Sequence, residues 1–356
     1  MRSGYVKALS ILAAAVGALR RLPLEGAIRV AIPTTIVAVA LGSNWSPSVR
    51  HVAAPLWRLS LVTLCLLALA WAVRQAGWRG LWDGVRTPAH AAAAAFAAVA
   101  VASTLWSTDP RLTLERTFSI GLALLAAAAL GLGSSRRPGA VERLLVSVLA
   151  GAVAVAVAGL VVYVVARGDA LQSATATIPS RYRGIGQNPN TDVMLYAVAT
   201  PLATWLAVVG RGSRRLLGVL ALLLLVGSIV GSGSRGALFT AALGALVLLV
   251  VHARGARQRL LAAAAVAAAT AAAVGLAQIP QPNPAATEAS PTSCVRCKLN
   301  PHDADRWMRL EDELDAPAGP GRAGQKRTFL ATTGRGQAWE GAIDQGEERP
   351  VAGYGF

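Results

Sequence analysis

Nine apolar stretches before residue 277 reach or approach the ~17–25 residues that a helix needs to cross a bilayer. They fall at approximately 27–42, 52–73, 89–106, 118–133, 141–166, 191–209, 215–231, 235–252 and 258–276. In hydrocarbon every backbone N–H and C=O must be bonded within the protein, which leaves helices or closed barrels, and runs of this length specify helices. The expectation is an all-α fold, a polytopic transmembrane helix bundle. Charged residues make up only 15% of the 356-residue chain, against about 25% in soluble domains, so one large water-soluble core is excluded. Several spans are Ala-rich, notably Ala91–Ala102 and Ala262–Ala273, which favours close helix approach inside the bundle.

The formal charge of +16 reports topology. A nucleic-acid binder gathers its basic residues on one soluble face, whereas here they sit between apolar runs, so nucleic acid is excluded as a partner and the lipid bilayer takes its place. Alternate connections are basic: Arg20, Arg21 and Arg29; Arg74, Arg79 and Arg86; Arg136, Arg137 and Arg143; Arg211, Arg214 and Arg215; Arg254, Arg257 and Arg259. With Arg2 and Lys7 this series holds 17 basic residues against 3 acidic ones, which makes it cytoplasmic by the positive-inside bias. The intervening loops then face outward. Arg29 and Arg58 fall near span ends, where a long side chain reaches the headgroups.

Three regions follow. Residues 1–26 form a cytoplasmic or interfacial N-terminal segment, 27–276 the bundle, and 277–356 a large extracytoplasmic loop at the C-terminal end. Within the first, residues 8–19 behind Arg2 and Lys7 imitate a signal peptide. Twelve apolar residues are short for a span, so an inner-surface helix is favoured over an extra span or a cleaved signal. In the third, Pro280, Pro282, Pro284, Pro291 and Pro301 make 278–325 irregular, while Gly336–Gln345 has the pattern of a short helix.

Gly231, Gly233 and Gly236 match G-x-G-x-x-G, but no strand precedes them and they lie at a tight turn between two spans, so a dinucleotide site is rejected. The same turn places Arg235 at the start of span 235–252, where helix N–H groups and the macrodipole favour an anion. A second cluster runs from Arg181 to Asn190. Arg181 and Arg183 can converge on a phosphate, Gly184 and Gly186 allow close backbone approach, and Asn188 and Asn190 are candidates to cap the next helix. The alternative is a polar turn with a helix cap. A third group, Gly334, Arg335, Trp339 and Arg349 to Phe356, specifies no reaction alone. Cys294 and Cys297 with His302, Asp303 and Asp305 do not complete a zinc site, so no metal is expected. His51, His90 and His252 sit near span ends, and no nucleophile elbow, Walker loop or paired-carboxylate signature appears.

With these residues in hand, the chain resembles the O-antigen ligase and polymerase family of polytopic membrane glycosyltransferases. The resemblance rests on Leu105, Trp106, Ser107, Asp109 and Pro110 with Leu114 and Arg116, then Arg181 to Asn190, then Gly233 to Ala237, then Gly334, Arg335, Trp339 and the Arg349–Gly355 run. The family's usual arrangement, a cytoplasmic N-terminus, twelve spans and a large outer loop after the ninth, agrees with nine spans here. It implies transfer of a glycan from undecaprenyl pyrophosphate to a sugar hydroxyl of a glycan or glycolipid acceptor at a bacterial inner membrane. A ligase acts in lipopolysaccharide synthesis on lipid A core; a polymerase joins another repeat unit. Arg181 and Arg235 match family arginines that grip the pyrophosphate, with Arg183 a candidate third; Asn188, Asn190, Arg335 and Trp339 support the motif. No cofactor is implied. The family's catalytic histidine comes after the segment matching Gly353–Phe356, so the base is expected beyond Phe356, and a fragment of a longer frame is favoured over an inactive homologue. From another class, a transporter or flippase for lipid-linked glycans would place ionisable groups near the midplane, often in two related halves.

Overall fold

The structure, a computed structural model, describes residues 23–107, 109–172, 180–253, 255–276 and 343. Residues 8–19, the cysteine pair at 294 and 297 with its neighbours, the irregular 278–325 segment, the Gly336–Gln345 helix apart from residue 343, and Arg335 and Trp339 lie outside the described residues.

Among the described residues nine helices are long and apolar enough to cross a membrane. They are α1 (Leu24–Gly42), α2 (Pro47–Val85), α3 (Pro88–Ala102), α4 (Pro110–Ser135), α5 (Ala140–Val165), α6 (Thr191–Val209), α7 (Ser213–Ser232), α8 (Arg235–His252) and α9 (Ala256–Leu276). Each matches one apolar stretch of the sequence, and the fold is that of an all-α polytopic membrane protein. Several helices begin earlier than the apolar run because polar residues start them. Thr87 accepts a hydrogen bond from the His90 amide ahead of Pro88, and Asp109 Oδ1 accepts from the Leu112 amide at 3.0 Å ahead of Pro110. A proline at the first helical position loses no bond there.

The described residues form two compact units, 23–39 with 52–151 and 40–51 with 152–276. In the first, Ile28, Ile32, Leu64, Trp71, Ala140 and Leu144 make a buried cluster. Trp71 lies against Gly133, where a Cβ would come within 2.6 Å of the indole. Glu25 at the start of α1 binds Arg137, at 2.7 Å, and Arg143. Arg58 does more than reach for headgroups: it pairs with Glu115 of α4 at 2.8 Å. The basic connection expected from residue 74 is instead mostly helical, since α2 continues to Val85 with one break at Gly77 (φ 67°, ψ 171°). Leu81 beyond the break packs with Ala68, Ala72 and Ala129, and Gly84 admits Leu132, which holds this piece as helix.

In the second unit α6 packs along α7 and α8, and α8 along α9. Small residues permit the approach. A Cβ on Gly218 of α7 would lie 2.5 Å from the Ala207 backbone nitrogen, and one on Gly244 of α8 would lie 2.5 Å from Cγ of Pro201, the ring inside α6. Val165, Val251 and Leu260 stay exposed, as a lipid-facing surface requires, because lipid tails remove any reason to bury them.

Candidate functional site

The site lies in the second unit, where three connections meet: residues 43–46 after α1, the long link between α5 and α6, and residues 233–234 after α7. Each follows an odd-numbered helix, so if every helix crosses the membrane all three reach one surface.

The long link is built from its sequence as a small clasp. One helical turn, Arg167–Ala170, leads into β1 (Leu171–Gln172), which pairs antiparallel with β2 (Arg181–Tyr182). Ala170, Leu171 and Tyr182 are buried against Val162 and Tyr163, so the clasp is anchored by its apolar side chains. After β2 the chain turns at Gly184, whose φ of +62° is a region that L side chains rarely adopt. The Arg183 amide donates to Ala170 O at 2.9 Å and the Gly186 amide to Arg183 O at 3.1 Å. Asn44 Nδ2 donates to Ile185 O at 2.6 Å, which ties this turn to the first connection.

Arg181 joins the second motif to the third. Its side chain is buried; Nε donates to Ser232 O at 2.7 Å and Nη2 to Asn190 Oδ1 at 3.2 Å. Ser232 ends α7, Gly233 takes the left-handed conformation (φ 62°) and Arg235 opens α8, so 54 residues of sequence separation collapse to one hydrogen bond and a three-residue turn. Ser234 makes no side-chain cap to α8. Arg183 donates from Nε to Asp169 O at 3.0 Å and lies 4.5 Å from the Trp45 ring centroid. Its burial lowers the guanidinium pKa, opposed by Asp169. Arg167 stacks on Tyr163 at 5.1 Å and donates to its hydroxyl at 2.8 Å.

Beneath the turn lie Tyr182, Asp192 and Tyr196, all buried. Burial pushes the Tyr182 phenol up to about 12, the Asp192 charge adds to the shift, and Ser228 opposes it.

The structure therefore brings Arg181, Arg183 and the Ser232–Arg235 turn into one neighbourhood. One expectation is corrected: Asn190 occupies the N-cap of α6 but its side chain makes no cap hydrogen bond, because Oδ1 is taken by Arg181. Asn188 Oδ1 accepts from the Asn190 amide at 2.9 Å, two residues on, and so closes a turn rather than capping α6. Asp109 belongs to the first unit, where it caps α4. Among the described residues no His, Cys, Asp and Glu group could hold a metal. Sequence reasoning missed Asn44, Trp45, Arg167 and Asp192. An acid two residues into an apolar span was a legible signal for Asp192; nothing in the sequence connected Trp45 with Arg183.

No curated protein and no solved structure matches the chain. Residues 220–356 match the family model described as O-antigen ligase. From within α7, through Arg235 and to its last residue, the chain is thus similar to the O-antigen ligase family.

Proposed function

We propose that the chain transfers a glycan from an undecaprenyl-pyrophosphate carrier to a sugar hydroxyl of a glycan or glycolipid acceptor, as an O-antigen ligase does, at the outer surface of a bacterial inner membrane. The observation that carries this reading is the Arg181–Ser232 hydrogen bond, which sets two arginine-bearing turns side by side within a membrane glycosyltransferase-like protein. In the reaction the acceptor oxygen bonds to the anomeric carbon, and the bond from that carbon to the carrier's pyrophosphate oxygen breaks. Negative charge then develops on the leaving pyrophosphate. Fixed guanidinium groups, always protonated and able to donate in pairs, stabilise it. Arg183 and Arg235 supply that charge, with Arg181 holding their turns and adding its own. The acceptor's proton goes to a base other than these arginines, since a guanidinium cannot take one.

Outward placement of this surface is supported by the sequence, in which the connections after even-numbered helices carry most of the basic residues. A ligase working on lipid A core and a polymerase working on repeat units share this donor chemistry.

The test reconstitutes the full-length protein in nanodiscs with undecaprenyl-pyrophosphate glycan and candidate acceptors and detects joined product by mass spectrometry. Joined product that falls at least tenfold in Arg183→Ala and Arg235→Ala is expected. Undiminished product in both variants would remove the pyrophosphate grip. Movement of the donor across a vesicle membrane, without joining, would replace the enzyme by a flippase.

A further inference from the structure

Trp71 and Gly84 lie thirteen residues apart in α2, yet they meet neighbouring positions of α4: Trp71 packs on Gly133, and a Cβ on Gly84 would lie 2.5 Å from Cδ1 of Leu132. An unbroken helix rises about 1.5 Å per residue and would hold the two roughly 20 Å apart along its axis. The break at Gly77 (φ 67°, ψ 171°) therefore reverses the chain. α2 ends as a hairpin, and its second limb, residues 78–85, runs back beside the last turns of α4. Gly80 agrees with this direction, since a Cβ there would lie 3.8 Å from Nη2 of Arg136, the residue that caps α4. As the sequence rises from 80 to 84 on the limb, its partners fall from 136 to 132 on α4.

That register fixes a depth. α4 has 26 residues, about 39 Å at the same rise, which carries a crossing helix through the hydrocarbon and into the headgroup layers at both ends. Its last turn and the limb beside it then stand in one headgroup layer. On the limb, Leu81 and Gly84 face the protein. Trp78 and Trp82, four residues apart and so on one side of the helix, are 67% and 64% exposed, and indoles at this depth are the anchors that a membrane interface favours. Arg79 and Arg136 are exposed too, and among the described residues neither forms an ion pair. From residue 74 to 86 the hairpin carries Arg74, Arg79 and Arg86 against Asp83, and Arg136 adds a fourth guanidinium.

We propose that this hairpin is a binding site for an anionic glycerophospholipid, with Trp78 and Trp82 against the glycerol and upper acyl chains and the Arg79 and Arg136 guanidiniums on the phosphodiester. The planar guanidinium fork donates two bonds to one pair of phosphate oxygens, and basic groups beside a membrane helix attract lipids of net negative charge. A choline lipid offers the same phosphodiester but adds a cation, which the surplus of arginines repels. The site lies within the first unit and does not depend on the glycan-transfer reading.

The experiment places the full-length protein in nanodiscs that hold phosphatidylglycerol and phosphatidylcholine in equal amounts, and native mass spectrometry counts the lipids each variant retains. Wild type is expected to retain phosphatidylglycerol over phosphatidylcholine by about fivefold or more. Arg79→Gln combined with Arg136→Gln cuts that preference at least threefold, Trp78→Ala combined with Trp82→Ala lowers retention of both lipids alike, and Arg111→Gln, at the opposite end of α4, changes neither. A second measurement is independent of retention. In nanodiscs of lipid brominated near the carbonyl end of its acyl chains, the part of the fluorescence that Trp78→Phe and Trp82→Phe remove is expected to be quenched by at least half relative to unbrominated lipid. Equal retention of the two lipids by wild type overturns the site, as does a preference undiminished in the double arginine variant. Unquenched fluorescence from the tryptophan pair overturns it as well, because the hairpin would then stand in water. Tryptophan variants that convert a dimer to a monomer with lipid retention intact would assign the face to a second copy of the chain and overturn the lipid site.

Discussion

Replacing Arg181 by lysine separates charge from geometry at the site. The guanidinium makes two directed bonds, Nε to Ser232 O at 2.7 Å and Nη2 to Asn190 Oδ1 at 3.2 Å, from a buried position. Hydrogen bonds from a charged donor contribute about 1.5–3 kcal/mol each. A lysine ammonium is a point charge on a different stem and replaces one of the two at best, so Arg181→Lys loses about 2 kcal/mol from the closed arrangement of the turns. If only that arrangement binds a pyrophosphate, the loss appears as a fall in competent population and weakens apparent affinity about 30-fold. Arg181→Ala removes both bonds and leaves the Ser232 carbonyl without this donor, for a larger loss. Isothermal titration of geranyl pyrophosphate into full-length wild type and both variants measures this, with thermal unfolding recorded alongside. A lysine variant within twofold of wild type would refute the reasoning, because charge alone would then suffice and the fork to Ser232 would carry no weight.

Three further outcomes are expected. Gly218→Ala drives a methyl to 2.5 Å from the Ala207 nitrogen, an overpacking that costs about 1–3 kcal/mol; thermal unfolding in detergent should drop by several degrees, while an alanine at Gly227, where nothing lies within 4 Å, leaves it unchanged. Trp45→Ala removes the ring 4.5 Å from the Arg183 guanidinium, worth about 0.5–2 kcal/mol, and should weaken geranyl pyrophosphate severalfold while Trp45→Phe retains most of the affinity. The Tyr182 phenol has its folded pKa raised from 10.0 to about 12. Its contribution to stability is therefore fully present below pH 10 and is lost as pH rises towards 12, since the unfolded state releases its proton first. Thermal unfolding followed from pH 9 to 12 should show a fall that Tyr182→Phe reduces.

Much of the bundle was legible because hydrocarbon imposes a length and a polarity that single residues cannot override. All nine apolar stretches became helices, and the errors lie at their ends. Asp109 and Pro110 began α4 well before its apolar run, since caps work through hydrogen bonds that hydropathy does not register. The helical extension of α2 past Gly77 was hidden for a related reason: Leu81 and Gly84 are placed by packing, while Arg74 and Arg79 gave the stretch the composition of a loop. At the site, Arg181, Arg183 and Arg235 stood out because outward arginines oppose the usual charge bias. What each arginine binds was not legible. The partners Ser232 O and Asp169 O are backbone atoms, which any residue type supplies, and Trp45 reaches Arg183 only through the fold. Asn190 carried a cap signal that Arg181 diverted.

The three connections also fix when the site can exist. Asn44 emerges early in synthesis and Ser232 follows after some 10–40 s at ~5–20 residues per second. Until α7 has entered the membrane, the Arg181 guanidinium lacks the Ser232 carbonyl that seats it, whatever the state of α1 to α6. A half-made chain therefore cannot join its two arginine-bearing turns, and that contact arrives with one late helix rather than accumulating span by span.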